Sequence, residues 1–360
     1  MAARNRYVFA VDHRPHRVRR FLIALVLILA VLVGLFYAGG RIASRSVKYE
    51  KINVAVPDLP ADLRGFSILH LSDLHGETYG RKQSAIASAI GTAGFSCAVI
   101  TGDMLGPRGE YQPLLDLISV IPESVPIYYL PGDEDPDYLD SVGHGTATPY
   151  AAWAELLAAR GVTILDRPVL ITRGRNDAAR LWLIPDNILT MDTASEEATW
   201  KGRLTSMQRS GGSDAGIRVA NYQLERIRAV REVVEGRQIT EKDILVLVTH
   251  IPLTADTVAM RNESTTRADI FATRKASLVL SGHLCGGQFR LPALGAVYVP
   301  GHGNFPEDDE IMGLTWEAGV PQHISPGLGA CGAPDFYPWW ASVRFYNPPV
   351  VTRLVLNNSM

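Results

Sequence analysis

The stretch FSILHLSDLHG, Phe66–Gly76, changes character halfway along. Phe66 to Leu71 is apolar except at Ser67 and His70, and it has the length of a buried strand rather than a helix. It then runs into Asp73 and His75, two residues apart, with Gly76 behind them. A buried strand that stops on an acid and an imidazole presents both at its carboxyl edge. In open α/β sheets that edge is where ligands bind.

The same pattern recurs along the chain. AVITGD ends in Asp103, and IYYLPGDED in Asp133 and Glu134. LVLVTH ends in His250, and LVLSGHLC in His283 and Cys285. Helical segments separate the strands: Lys82–Gly94, YQPLLDLISVI, YAAWAELLAARG and NYQLERIRAVREVVEG. In the last of these Leu224, Ile227, Val230 and Val234 fall at helical spacing. Strands alternating with helices predict an α/β fold layered around a mostly parallel sheet. Val162–Pro185 reads as a β-meander with a polar hairpin at RGRNDAAR, and the polar stretch 190–217 as a surface loop or insertion. VVTRLVL near the end reads as a strand.

The first 50 residues differ from the rest. Phe21 to Ala38 is 18 residues without a charge, close to the length that spans a bilayer. Six arginines precede it (Arg4, Arg6, Arg14, Arg17, Arg19, Arg20) and four cations follow it (Arg41, Arg45, Lys48, Lys51). That bias places the N-terminus in the cytoplasm and the body outside it. The expected organisation is a basic N-terminus (1–20), a transmembrane anchor (21–40), a linker (41–52), a catalytic domain (53–356) and a short tail (357–360). A cleaved signal peptide ending near Ala38–Gly40 is the rival reading, and the long apolar run favours the anchor. The net charge of −2 gives no support for nucleic-acid binding. Three cysteines, Cys97, Cys285 and Cys331, argue against a disulfide framework. Nothing in the sequence speaks to oligomeric state.

The residue types at the strand ends suit a pair of divalent cations. Carboxylates can bridge two metals, and neutral imidazoles complete the shells of Mn, Fe or Zn. Two such ions about 3.5–4 Å apart can hold a phosphoryl oxygen and activate water for in-line attack. No P-loop is present, GHGNF at 301–305 is not one, and there is no G-x-S-x-G elbow.

The blocks DLH (Asp73–His75), GD (Gly102–Asp103), GDED (Gly132–Asp135), TH (Thr249–His250) and GHLC (Gly282–Cys285) come in the order of the calcineurin-like metallophosphoesterase signature. The chain resembles that family over about residues 50–356, and SPGLGA and the RFYNPPVVTRLVL ending resemble its branch with one N-terminal membrane segment. The resemblance implies a four-layer α/β/β/α sandwich preceded by one transmembrane helix. It implies that Asp73 and His75 bind a first metal, that Asp103 bridges, and that His250 and His283 bind a second. Three positions depart from the family. Asp133 stands where it has Asn, a second-metal ligand. Glu134 stands where it has the His that assists the leaving group. Cys285 stands where it has a His on the first metal. Asp133 keeps an oxygen ligand and adds charge. A Cys285 thiolate would favour Zn or Fe(II), or else the first metal is one ligand short. Glu134 would be the general acid if its pKa rose, and His144 and His302 are weaker candidates for contact with substrate.

Other residues have plainer readings. His70 reads as core, Asp135 and Asp137 as parts of the Pro136 turn, Cys97 as buried, and Cys331 as a loop residue without an identified partner. Trp339, Trp340, Phe345 and Tyr346 read as core before membrane contact. The expected function is a membrane-anchored, metal-dependent phosphoesterase. It would hydrolyse a phosphomonoester, phosphodiester or pyrophosphate through a metal-bound hydroxide. Its substrate would be a phosphate-containing small molecule or a lipid, and relatives in this branch that act on UDP-2,3-diacylglucosamine make a lipid-linked one an analogy. The alternative is a degenerate, weakly active or inactive member with a binding or regulatory role.

Overall fold

The computed structural model describes residues 14–57, 59–143, 147–173, 180–234, 238–240, 242–257, 276–331 and 343–358. The apolar N-terminal run lies within one helix, α1 (Arg14–Ala43), and β1 (Lys48–Ala55) follows after a short turn. β2 (Ser67–Leu71), β3 (Cys97–Ile100), β4 (Ile127–Tyr129) and β5 (Val162–Ile164) then alternate with α2 (Ser84–Ile90), α3 (Gln112–Val120) and α4 (Ala152–Ala158). The chain next crosses to a second sheet through β6 (Val169–Arg173) and β7 (Arg180–Pro185). α5 (Thr193–Ser210) and α6 (Asp214–Val234) lead to β8 (Ile244–Val248) and β9 (Leu278–Ser281). Two small hairpins follow, β10 (Arg290–Leu291) with β11 (Gly295–Ala296) and β12 (Tyr298–Val299) with β13 (Gly303–Asn304). β14 (Gly313–Glu317) and β15 (Val320–Ile324) extend the second sheet, and β16 (Val350–Asn357) returns to the first.

The first sheet has the order β1-β16-β2-β3-β4-β5 and the second β14-β15-β9-β8-β7-β6. β2 to β5 are mutually parallel, as are β7, β8, β9 and β15. Their runs are apolar on both faces because both faces are covered. Between the sheets, Ile68, Val99 and Leu354 meet Leu183, Val246 and Leu278. Outside the first sheet, Leu69, Ile100 and Tyr129 pack on Ile86, Leu114, Leu117 and Trp153 of α2 to α4. Outside the second, Trp182, Leu245 and Leu247 share a cluster with Val230 of α6. These are the four layers that the family resemblance implies.

Three expectations need correction. Val162–Pro185 is not one meander: β5 pairs in parallel with β4 in the first sheet, and only β6 and β7 form a hairpin, in the second. The tip of that hairpin, 174–179, lies outside the described residues. The stretch 190–217 is not a loop but α5 and the start of α6. Asp192 caps α5 by accepting from the amides of Ala194 and Ser195, and Gly211 closes it in the left-handed region. α5 lacks a broad apolar stripe, so periodicity could not reveal it; Glu197 ties it to α6 by pairing with Arg231. The expected linker 41–52 is mostly the last turn of α1 and the first half of β1.

Candidate metal centre

The strand ends of the two sheets converge. Asp73 and His75 follow β2, Asp103 follows β3, and Asp133 and Glu134 follow β4, all on the first sheet. His250 follows β8, and His283 and Cys285 follow β9, on the second. The backbone wires these turns together: the amide of Asp73 donates to Gly102 O at 2.9 Å, that of His75 to Asp103 O at 2.9 Å, and that of Gly282 to His250 O at 2.9 Å. Asp73, His75, Asp103, His283 and Cys285 all have φ between 47° and 73°, in the left-handed region that non-glycine residues avoid. Such strain persists where the surroundings fix it and is concentrated at functional sites. Gly132 is required on steric grounds, since a Cβ there would collide with the Asp103 carboxylate.

The side chains form three adjoining groups. Ligand atoms of Asp103, Asp133, His250 and His283 lie within 4.8 Å of one another, as do those of His75, Asp103 and Glu134, and those of Asp73, His75, Cys285 and Cys331. Asp103 and His75 each belong to two groups, so the three are contiguous. His250 Nε2 is 3.0 Å from Asp103 Oδ2 and 2.8 Å from Asp133 Oδ1. His283 Nδ1 is 3.3 Å from the same Asp133 oxygen. The other ring nitrogen of His250 lies 2.6 Å from Thr101 O, a carbonyl that can only accept, so Nδ1 carries the proton and Nε2 faces the carboxylates. His75 Nδ1 lies 3.3 Å from Glu134 Oε2. The amide of Glu134 donates to Asp103 Oδ1 at 2.9 Å, and the amide of His283 to Asp73 Oδ1 at 2.9 Å.

The charges are out of balance in a way that fits cations. Burial resists protonation of His250, yet the hydrogen bonds to Asp103 and Asp133 outweigh it and hold its pKa well above the usual histidine value. Burial likewise opposes charge on His75, but Glu134, Asp73 and Asp103 raise its pKa. Burial raises the Asp73 carboxyl, with Asp103 adding to the effect and His250 and His75 opposing it. Asp133 is half-exposed, and its hydrogen bonds to His250 and His283 hold it well below the usual carboxylate range. Protons on the imidazoles thus stand in for positive charge that divalent ions would provide. The donor set of carboxylate oxygens and imidazole nitrogens suits such ions.

The sequence model of the calcineurin-like phosphoesterases matches residues 66–287, which contain all of these strand-end residues except Cys331. The chain belongs to that family. Among solved structures, it is similar to the crystal structure of phosphopantetheinyl hydrolase from Mycobacterium tuberculosis, with 16% identity and a TM-score of 0.35, over 79% of this chain and 96% of that one. No curated protein matches.

Two features of this calcineurin-like phosphoesterase escape sequence reading. Asp135, read as a turn residue, is a keystone. Its carboxylate accepts from the amides of Asp103 (2.8 Å), Met104 (3.0 Å), Leu105 (3.1 Å) and Gly132 (2.9 Å), and from Tyr129 Oη (2.6 Å). It locks the GD turn to the GDED turn. Arg344 is fully buried and donates to the carbonyls of Gly329 (2.6 Å), Pro326 (2.9 Å), Gly327 (3.0 Å), Asn347 (2.8 Å) and Pro348 (2.9 Å), and more distantly to that of Cys285 (3.4 Å). Burial brings its pKa down to about 10. The acid in GDED was a visible signal for Asp135, whereas a lone arginine in RFYNPP gave none.

The largest correction concerns Cys285. It forms a disulfide with Cys331, so as found here it is not a thiolate ligand, and Cys331 does have a partner. A 46-residue separation hid the pair from the sequence. His302 sits on the exposed turn between β12 and β13 and belongs to none of the three groups. His144, Trp339 and Trp340 lie outside the described residues. His70 is core, with Nδ1 2.7 Å from His323 Nδ1 and Nε2 3.0 Å from Thr101 Oγ1. Cys97 is a buried free thiol, pushed up to about 12 by burial. Phe345 and Tyr346 pack on Phe36 of α1, and Tyr346 Oη donates to Phe36 O at 2.9 Å.

Proposed function

We propose that this chain is a membrane-anchored, metal-dependent phosphoesterase that hydrolyses a phosphomonoester, phosphodiester or pyrophosphate. The observation that carries the reading is the meeting of Asp103, Asp133, His250 and His283 beside Asp73, His75 and Glu134 at the carboxyl ends of strands from both sheets. Asp133, His250 and His283 would hold one divalent ion, Asp73 and His75 the other, and Asp103 would serve both; Mn, Fe and Zn suit the set. Divalent ions in this place supply Lewis acidity toward phosphoryl oxygens and acidify water. The chain's own residues do the rest. Thr101 O fixes the His250 tautomer, and Asp135 fixes the turns that carry Asp103 and Asp133. Glu134 has a side chain 28% exposed beside His75, and it would pass a proton to the departing oxygen.

Anchoring rests on α1. Its part Arg17–Ala43 contains an 18-residue window of mean hydropathy 3.0, and Phe21, Val26, Leu32 and Leu35 stand more than half exposed along it. The arginine-rich side of that helix would be cytoplasmic and the metal centre extracytoplasmic, where substrates at the bilayer, lipid-linked ones included, would reach it. A disulfide accords with that compartment.

The test is hydrolysis of chromogenic phosphomonoesters and phosphodiesters by the full chain in detergent with Mn2+, Zn2+ or Fe2+, against Asp103→Ala. Activity that Asp103→Ala loses supports the reading; equal activity in both sinks it. The departures at Asp133 and Glu134 and the Cys285 disulfide favour a second reading, a weakly active or inactive member with a binding role. Under that reading metal binds, hydrolysis stays at the Asp103→Ala level, and Glu134→His with Asp133→Asn raises it.

A further inference from the structure

The Cys285–Cys331 disulfide lies against the side of the centre that holds Asp73 and His75. Cys285 Sγ is 3.8 Å from His75 Nε2, and Cys331 Sγ is 3.4 Å from His283 O. All four side chains are buried, and their ligand atoms fall within 4.8 Å of one another. Neither cysteine arrives there on a loose loop. The carbonyl of Cys285 accepts from Asn347 Nδ2 at 2.8 Å, and the chain approaching Cys331 is pinned by Leu328 N to Ser72 O at 3.0 Å and Gly329 N to Asp73 O at 2.5 Å. The backbone that leads to Cys331 is therefore held against that of Ser72 and Asp73, and the Cys285 carbonyl by Asn347.

We propose that Cys285 and Cys331 are a redox-gated pair of metal ligands. Reduced, their thiolates complete a four-ligand site with Asp73 and His75 for a thiophilic ion such as Zn2+. Oxidised, as found here, they leave that ion only Asp73 and His75 besides the shared Asp103. Two sulfurs, one nitrogen and one oxygen are a donor set of the kind zinc accepts, and the soft sulfurs favour Zn2+ over Mn2+. Opening the pair takes two electrons and two protons from an external thiol. A reductant thiolate attacks one sulfur and forms a mixed disulfide, and a second thiol releases it, leaving two cysteine thiols and an oxidised reductant disulfide. Ion binding then displaces the two thiol protons. This inference rests on the centre being a metal site and does not need it to be catalytic.

The experiment compares full-length protein in detergent, oxidised or reduced with a phosphine that is then removed under argon, in a titration with Co2+. The reduced protein should take up one more equivalent than the oxidised and show thiolate-to-cobalt charge-transfer absorption in the near ultraviolet. Its affinity at that site should exceed the oxidised form's by roughly 100-fold or more, since two ligands are restored. Cys331→Ala should lose the tight extra equivalent under reduction, and a circular-dichroism spectrum equal to wild type shows that the loss is not unfolding. Equal uptake by the two redox forms without the sulfur band overturns the inference while the Asp103–Asp133–His250–His283 site still loads. Absence of uptake by either form overturns both this inference and the metal-site reading beneath it.

Discussion

At the scale of single residues, Asp135 and Glu134 are neighbours with opposite consequences. Asp135 spends its carboxylate entirely on four amides and a phenol, and its role is to shape. Asp135→Asn turns one of its acceptor oxygens into a donor facing amide N–H groups. The expected cost is about 2 kcal/mol or more of stability, from the buried donors left unpaired, with metal affinity falling as well. Thermal unfolding and metal titration of the variant check this, and an unchanged Tm would refute the keystone role. Glu134 sets a partly exposed carboxylate 3.3 Å from His75 Nδ1, and its amide donates to Asp103. Glu134→Gln should therefore leave metal content near wild type while lowering kcat about 100-fold, at the lower end of what a general acid contributes. Elemental analysis paired with single-turnover rates separates the two; loss of metal instead would make Glu134 a ligand.

At the scale of elements, α1 packs on the folded domain. Gly39 and Gly40 sit where a side chain would strike Tyr346 and Phe345, and Ser44 receives the amide of Asn347 at 3.4 Å. Asn347 in turn holds the carbonyl of Cys285, so the turn that follows α1 is two hydrogen bonds from the candidate metal centre. Gly40→Leu should lower the Tm of the folded domain even though leucine is the better helix former by about 1 kcal/mol. Gly34→Leu, where nothing lies within 4 Å, is the control expected to show no loss. Differential scanning fluorimetry in detergent decides it, and equal behaviour of the two variants would mean that α1 does not dock. These contacts were illegible in the sequence because they join residues some 300 positions apart. The strands carrying the site were legible because each is a short apolar run ending on a ligand, and α5 was not because its faces are nearly all polar.

At the scale of the molecule, the candidate metal centre is a clasp between sheets. Asp73, Asp103 and Asp133 come from the first and His250 and His283 from the second, so the charges that would bind ions also bind the layers. The order of the blocks made legible which strand-end residues come together, but not the strained φ values or the sulfur pair, which arise only where the turns meet. The clasp has a pH signature without metal. His250 and His75 have raised folded-state pKa values, so the stability they contribute is complete below the unfolded value of about 6.5 and is lost as pH rises through the folded one. Asp73 is also raised, so ionising it in place costs stability as pH climbs above about 3.9. Asp133 is depressed and acts oppositely: its contribution is present above about 3.9 and disappears as pH falls toward its folded value. Metal-free protein should therefore be most stable in mildly acidic solution and lose Tm steadily into the alkaline range. Added Zn2+ should raise Tm most on the alkaline side, where the ligands are already deprotonated. A chelator-treated sample scanned in steps from about pH 5 to about pH 9, with and without Zn2+, measures both slopes. A metal-free Tm that stays level across that range would show that the two sheets are not held by these charges.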